Sequence, residues 1–121
     1  MTKITTLVLG ASLNPDRYSN MAIRLLLKKG FNVKAVGNRK GNVLNTEIAT
    51  ETKVFDDIDT VTLYLSPTNQ PKYYEYILQL KPNRIIFNPG TENDELRLMA
   101  ENKGISTENA CTLVLLNLNQ Y

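Results

Sequence analysis

An α/β fold with a parallel sheet of about five strands is predicted by three features of the chain. Short apolar runs alternate with segments of helical spacing along all 121 residues. The first run, Thr5 to Gly10, is continuous rather than alternating, as in a central strand covered on both faces. Glycine, proline and asparagine then punctuate the ends of the later segments. Such alternation implies right-handed crossovers and helices on both sides of the sheet, a three-layer Rossmann-like arrangement with the first strand central.

The elements follow in order. After Thr5–Gly10 comes a loop from Ala11 to Tyr18, and Ser19 or Asn20 is the expected helix cap. Ala22, Leu25 and Leu26 carry the helical face, and Gly30 stops it. Asn32 to Val36 is a second strand. Residues 41–60 show only a weak helical pattern, although a parallel crossover ordinarily takes a dozen residues or more. A loop with a short strand or a single helical turn near Phe55 to Ile58 is expected there. Val61 to Leu65 is a third strand. Pro71 sits in the first turn of a helix whose apolar face is Tyr73, Tyr76, Ile77 and Leu80. Arg84 to Phe87 is a fourth strand. Thr91 and Asp94 resemble a capping box before Leu96, Met99 and Ala100, and Gly104 closes that helix. Ile105 to Thr107 is a fifth strand, and the apolar tail from Cys111 to Leu118 packs against the body.

Length fits one domain, residues 1–121, with a core that buries roughly two thirds of the surface the unfolded chain exposes. The longest apolar run, Leu113-Val114-Leu115-Leu116, is far short of a membrane span, and the first six residues lack the apolar stretch of a signal peptide. One cysteine excludes an internal disulfide, and a reducing cytoplasm is the expected location. Charge is unevenly spread. Residues 1–40 hold eight basic side chains against Asp16 alone, a net of +7, so the remainder carries −5 of the overall +2. This asymmetry points to an anionic partner near the basic part.

In an open parallel sheet, ligands bind outside the carboxyl ends of the strands. Those ends here are Gly10-Ala11-Ser12, Gly37-Asn38-Arg39-Lys40, Ser66-Pro67-Thr68 and Asn88-Pro89-Gly90. Turn chemistry alone explains most of these residue types, but not Arg39 and Lys40. The first loop lacks the G-x-G-x-x-G fingerprint, since Ser12 and Pro15 stand where the second and third glycines would be. Ser12, Ser19 and Asn20 offer hydrogen bonds beside a helix N-terminus, and Arg17 adds a charge-assisted one. At the second strand end, two cations replace the carboxylate that binds a ribose hydroxyl in NAD sites. That pair suits a phosphorylated ribose, whether the 3′-phosphate of coenzyme A or the 2′-phosphate of NADP.

Val8-Leu9-Gly10-Ala11-Ser12, then Pro15, then Arg17-Tyr18-Ser19-Asn20, resembles the coenzyme-A-binding domain family, which is similar to the nucleotide-binding domain of the succinyl-CoA synthetase α subunit. Ser66-Pro67, Asn88-Pro89-Gly90 and Glu108-Asn109-Ala110-Cys111-Thr112 match its other landmarks in order, over essentially the whole chain. The resemblance implies that the first loop holds the pyrophosphate, that Arg39 and Lys40 lie near the ribose phosphate, and that Ser66-Pro67 lies near the adenine or ribose. It implies coenzyme A or an acyl-CoA as the ligand. The second strand end departs from the family's usual Asn-Pro, having Gly37-Asn38-Arg39-Lys40.

The chain has no histidine. That removes a phosphohistidine step, histidine-activated nucleophiles and the commonest zinc ligand. No catalytic or metal-binding residue is assigned. Asp56, Asp57 and Asp59 read as a solvated face, and Cys111 as a packing residue. A reactive Cys111 would need a lowered pKa and access to the site, where it could form a mixed disulfide with a bound thiol. The tyrosines show no spacing for nucleic-acid stacking. The expected function is non-catalytic binding of a small nucleotide ligand, with a protein partner or a homo-oligomer left open. The alternatives are an NADP-linked or other nucleotide-dependent enzyme, disfavoured by the missing fingerprint and the lack of room for a substrate domain, and an interaction module with an idle site.

Overall fold

The apolar run near the start of the chain forms β1, Thr5–Ala11, and takes the middle of a seven-stranded sheet. The structure, a computed structural model, describes residues 4–121; Lys3 of the basic stretch lies outside them. The other strands are β2 (Asn32–Gly37), β3 (Gly41–Val43), β4 (Thr46–Ala49), β5 (Ile58–Leu63), β6 (Arg84–Phe87) and β7 (Ser106–Asn109). Their order is β3-β4-β2-β1-β5-β6-β7, and every neighbouring pair is parallel except β3 with β4. Val8 and Leu9 are fully buried, as a central strand requires. The Rossmann-like order agrees with expectation; the count of seven corrects the expected five.

The two additional strands, β3 and β4, lie in the weakly patterned segment 41–60. Only residues 38–45 separate β2 from β4, too few for a helical crossover. The chain instead turns back along the sheet edge as β3, reverses at Leu44-Asn45 and re-enters beside β2 as β4. Leu44 takes a left-handed backbone, φ 54°, at this turn. Val43, Thr46 and Ile48 are buried. No helical turn forms at Phe55 to Ile58. Phe55 packs against the core instead, with the ammonium groups of Lys34 and Lys53 at 5.8 and 5.7 Å from its ring centre, and Ile58 begins β5.

Among the described residues, four α-helices complete the layers: α1 (Tyr18–Lys28), α2 (Tyr74–Leu80), α3 (Asp94–Glu101) and α4 (Thr112–Asn117). Helices α1 and α4 cover one face, with Ile23, Leu26 and Leu116 against Val8, Ala35 and Ile48. Helices α2 and α3 cover the other, with Tyr76, Ile77, Leu96 and Ala100 against Leu9, Val61 and Phe87. The tail therefore packs on the body as expected. None of the described helices is long and apolar enough to cross a membrane.

The helix starts differ from the sequence reading. Arg17 is the N-cap of α1, and Ser19 and Asn20 lie buried within its first turn. Asn20 is otherwise engaged: its amide donates to the Ser12 carbonyl at 2.9 Å and its oxygen accepts from Arg24 Nε at 2.8 Å. Asn93, not Thr91, caps α3, its oxygen accepting from Leu96 N–H at 3.2 Å. The Thr91 hydroxyl bonds back to the Asn88 carbonyl at 2.8 Å and is unavailable as a cap. Pro71 opens a 3-10 turn that leads into α2 rather than opening α2 itself.

Candidate functional site

Strand β1 leads through α1 to β2 on one side and pairs with β5 on the other, so the strand order reverses between β1 and β5. Gly10 stands at this switch point with φ 95°. A Cβ there would come within 2.9 Å of the Tyr64 carbonyl carbon. The bare glycine lets the first loop approach the end of β5 closely, and the two loops then diverge around a cleft of about 710 Å³. That volume is within the range of small-molecule sites.

The structure brings most of the sequence-selected residues to this cleft. Gly10, Ala11, Ser12, Arg17, Tyr18 and Ser19 line it from the first loop and the start of α1. Asn38 and Arg39 line it from the end of β2, Ser66 from the end of β5, and Pro89 and Gly90 from the end of β6. Asn20, Lys40, Pro67 and Asn88 are not among the lining residues. Lys40 and Pro67 are exposed. Asn20 holds the first loop through Ser12, as described. Asn88 is buried; its amide donates to Thr62 Oγ1 at 2.7 Å and to the Leu63 carbonyl at 2.8 Å, and its oxygen accepts from Thr112 N–H at 2.9 Å. It thus joins β5, β6 and the start of α4.

Leu13, Asn14, Tyr64, Leu65, Asn69 and Thr91 also line the cleft and were not selected from sequence. Leu13, Leu65 and Thr91 directly adjoin selected residues and Tyr64 stands two before Ser66, and that position at a strand end is the signal that points to them. Gln70 carried no sequence signal at all. It is fully buried, donates to the carbonyls of Leu65 and Thr91 at 2.9 and 2.8 Å, and accepts from Asn93 Nδ2 at 2.9 Å. The β5 and β6 loops are thereby tied together at a set spacing.

Among the described residues, Arg17 and Arg39 are the charged side chains that line the cleft, and no carboxylate does so. Two guanidinium groups among neutral polar side chains, with no carboxylate opposing them, favour an anion. The Tyr64 hydroxyl is buried near Thr62 and Thr112, whose hydroxyls bond each other at 2.7 Å. It forms no well-aligned hydrogen bond, although the two threonines lie close enough to temper its titration. Burial pushes it up to about 12, so it remains neutral around the cleft. Cys111, half-buried at the N-cap of α4, is not a lining residue. Among the described residues no group of three acidic, cysteine or histidine side chains could hold a metal ion.

Residues 4–117 match the model of the CoA binding domain. The chain belongs to the CoA-binding domain family. A crystal structure of an uncharacterized protein is 44% identical to this CoA-binding-family chain, with a TM-score of 0.96 and all of both chains covered. A hypothetical protein from Pyrococcus horikoshii OT3 is 26% identical, with a TM-score of 0.80 over 89% of this chain and 78% of that one. The dinucleotide-forming acetyl-coenzyme A synthetase 1 of Ca. Korarchaeum cryptofilum shares the fold at 15% identity, with a TM-score of 0.73. The alignment covers 88% of the CoA-binding domain and 26% of the synthetase. No curated protein matches the chain.

Proposed function

We propose that this protein binds coenzyme A or an acyl-CoA in the cleft at the switch point and does not itself turn it over. The observation that carries the reading is the pairing of Arg17 and Arg39 in a cleft with no lining carboxylate. Family membership supports this ligand class, and the likeness to a fold within an acetyl-coenzyme A synthetase is consistent with it. Arg17, at the N-terminus of α1, meets the pyrophosphate together with the Gly10-Ala11-Ser12 loop. Arg39 meets the ribose 3′-phosphate, and Ser66 lies near the adenine or ribose. The non-catalytic reading rests on the chain's lack of histidine and on the position of Cys111 outside the lining. With a single cysteine, the reducing cytoplasm is its proposed location.

Native mass spectrometry of freshly purified protein tests retention of a ligand by mass. Calorimetric titration with coenzyme A, dephospho-coenzyme A and NADP then tests which phosphate is read. Coenzyme A should bind most tightly. Binding of NADP alone would replace this reading with the NADP-linked one, and robust acyl-CoA hydrolysis that disappears in Cys111→Ser would overturn the non-catalytic assignment.

A further inference from the structure

Tyr18 is the first residue of α1 and lines the cleft, yet it remains 70% exposed. Its neighbours in the helix, Ser19 and Asn20, are buried, so the backbone around the ring is held while the ring itself contributes to neither core cluster. A single exposed tyrosine on a surface needs no explanation. This one is a wall of a cleft whose charged lining consists of Arg17, the preceding residue, and Arg39. Arg39 follows the end of β2 by two residues and Arg17 caps α1 after the loop that leaves β1, and these two strands pair in parallel up to Ala11 and Gly37. Tyr18 and both arginines thus line one cleft, with the ring one residue beyond Arg17.

We propose that Tyr18 is the stacking platform for the purine base of the nucleotide, and so a specificity-determining residue of the cleft. The inference rests on the coenzyme A reading above and adds a residue-level role to it. A tyrosine ring offers a flat π face with two side-chain torsions to order, and an aromatic base covers that face on binding. The pantetheine arm has no aromatic group and gains little from the ring.

The experiment is calorimetric titration of wild type, Tyr18→Phe, Tyr18→Leu and Tyr18→Ala with three probes: coenzyme A, adenosine 3′,5′-bisphosphate and 4′-phosphopantetheine. Because the ring is exposed, these variants should fold, and circular dichroism checks that they do. Tyr18→Phe should keep both adenine-containing probes near wild-type affinity. Tyr18→Ala should lose roughly tenfold to hundredfold for both, the range expected for one base–aromatic stack, with Tyr18→Leu between. Affinity for 4′-phosphopantetheine should not move in any variant. If Tyr18→Ala binds coenzyme A as wild type does, or loses 4′-phosphopantetheine to the same extent, the stacking assignment is wrong while the coenzyme A reading stands. If wild type binds none of the probes, both fall.

Discussion

The side-chain amide of Gln70 donates to the backbone carbonyl of Thr91 at 2.8 Å, across 21 residues of sequence, and the same nitrogen donates to Leu65. One buried side chain therefore sets the spacing of two loops that wall the cleft. Gln70→Leu removes the donor and leaves both carbonyls and the Asn93 amide without that partner. Each unsatisfied buried group costs about 1–3 kcal/mol. Urea denaturation should show a lower midpoint with an unchanged slope, and coenzyme A affinity should fall even where the variant is fully folded. An affinity equal to wild type would show that loop spacing does not govern the site.

Asn88 should behave as a structural residue despite its place in the Asn-Pro-Gly turn. All its polar atoms bond inward, to Thr62, Leu63 and Thr112. Asn88→Asp preserves shape but replaces two donations with carboxylate oxygens facing other oxygens. The expected loss is at least about 2 kcal/mol of folding stability. Hydrogen exchange should report earlier opening where β5 meets β6, since the donations to Thr62 and Leu63 are lost while Thr112 N–H keeps an acceptor.

Arg17 and Arg39 should separate in a ligand comparison. Coenzyme A and dephospho-coenzyme A differ only at the 3′-phosphate. A charge-assisted hydrogen bond to that group contributes about 1.5–3 kcal/mol where partly buried, a tenfold to hundredfold difference in affinity. Arg39→Ala should abolish the difference between the two ligands. Arg17→Ala should weaken both by a similar factor. Lys40→Ala should have little effect, because Lys40 is exposed and outside the lining. Equal binding of both ligands by wild type would remove the 3′-phosphate from Arg39.

Alkaline pH should destabilise the fold through Tyr64 and Tyr76, both pushed up to about 12, chiefly by burial. The unfolded tyrosines ionise near 10, so from there to about 12 the unfolded state releases protons that the folded state retains. Stability is complete below pH 10 and declines through that window, by up to about 2–3 kcal/mol per residue. Tyr76→Phe should lose the bond to the Lys53 carbonyl, costing about 1 kcal/mol at neutral pH, and should show a shallower alkaline decline. Denaturation midpoints at pH 8 to 11.5 measure both effects. A Tyr76→Phe curve parallel to wild type would contradict the role of that hydroxyl.

The outline of the site was legible because strand ends announce themselves. Arg17 and Arg39 stand where no turn requires a cation, and the structure places both on one cleft. Lys40 adjoins Arg39 in sequence and is not a lining residue, since direction of a side chain depends on how the chain leaves β2. Asn20 and Asn88 look like ligand donors in a list of loop residues. Their hydrogen bonds go instead to Ser12, Arg24, Thr62, Leu63 and Thr112, partners that only the folded chain brings near.

By itself, the sequence determined the central apolar strand, the alternation that demands parallel pairing, and the apolar helix faces carried by Ile77 and Leu96. These follow from local periodicity and from the cost of leaving apolar surface in water. Tertiary structure alone decided the β3–β4 hairpin, the helix caps and the Gln70 brace. Residues 41–49 are too short and weakly patterned to pair on their own, and become strands when Val43 and Ile48 find a buried edge beside β2. A cap or a buried amide takes its role from whichever carbonyl or N–H packing leaves without a partner, and that is settled only when distant segments meet.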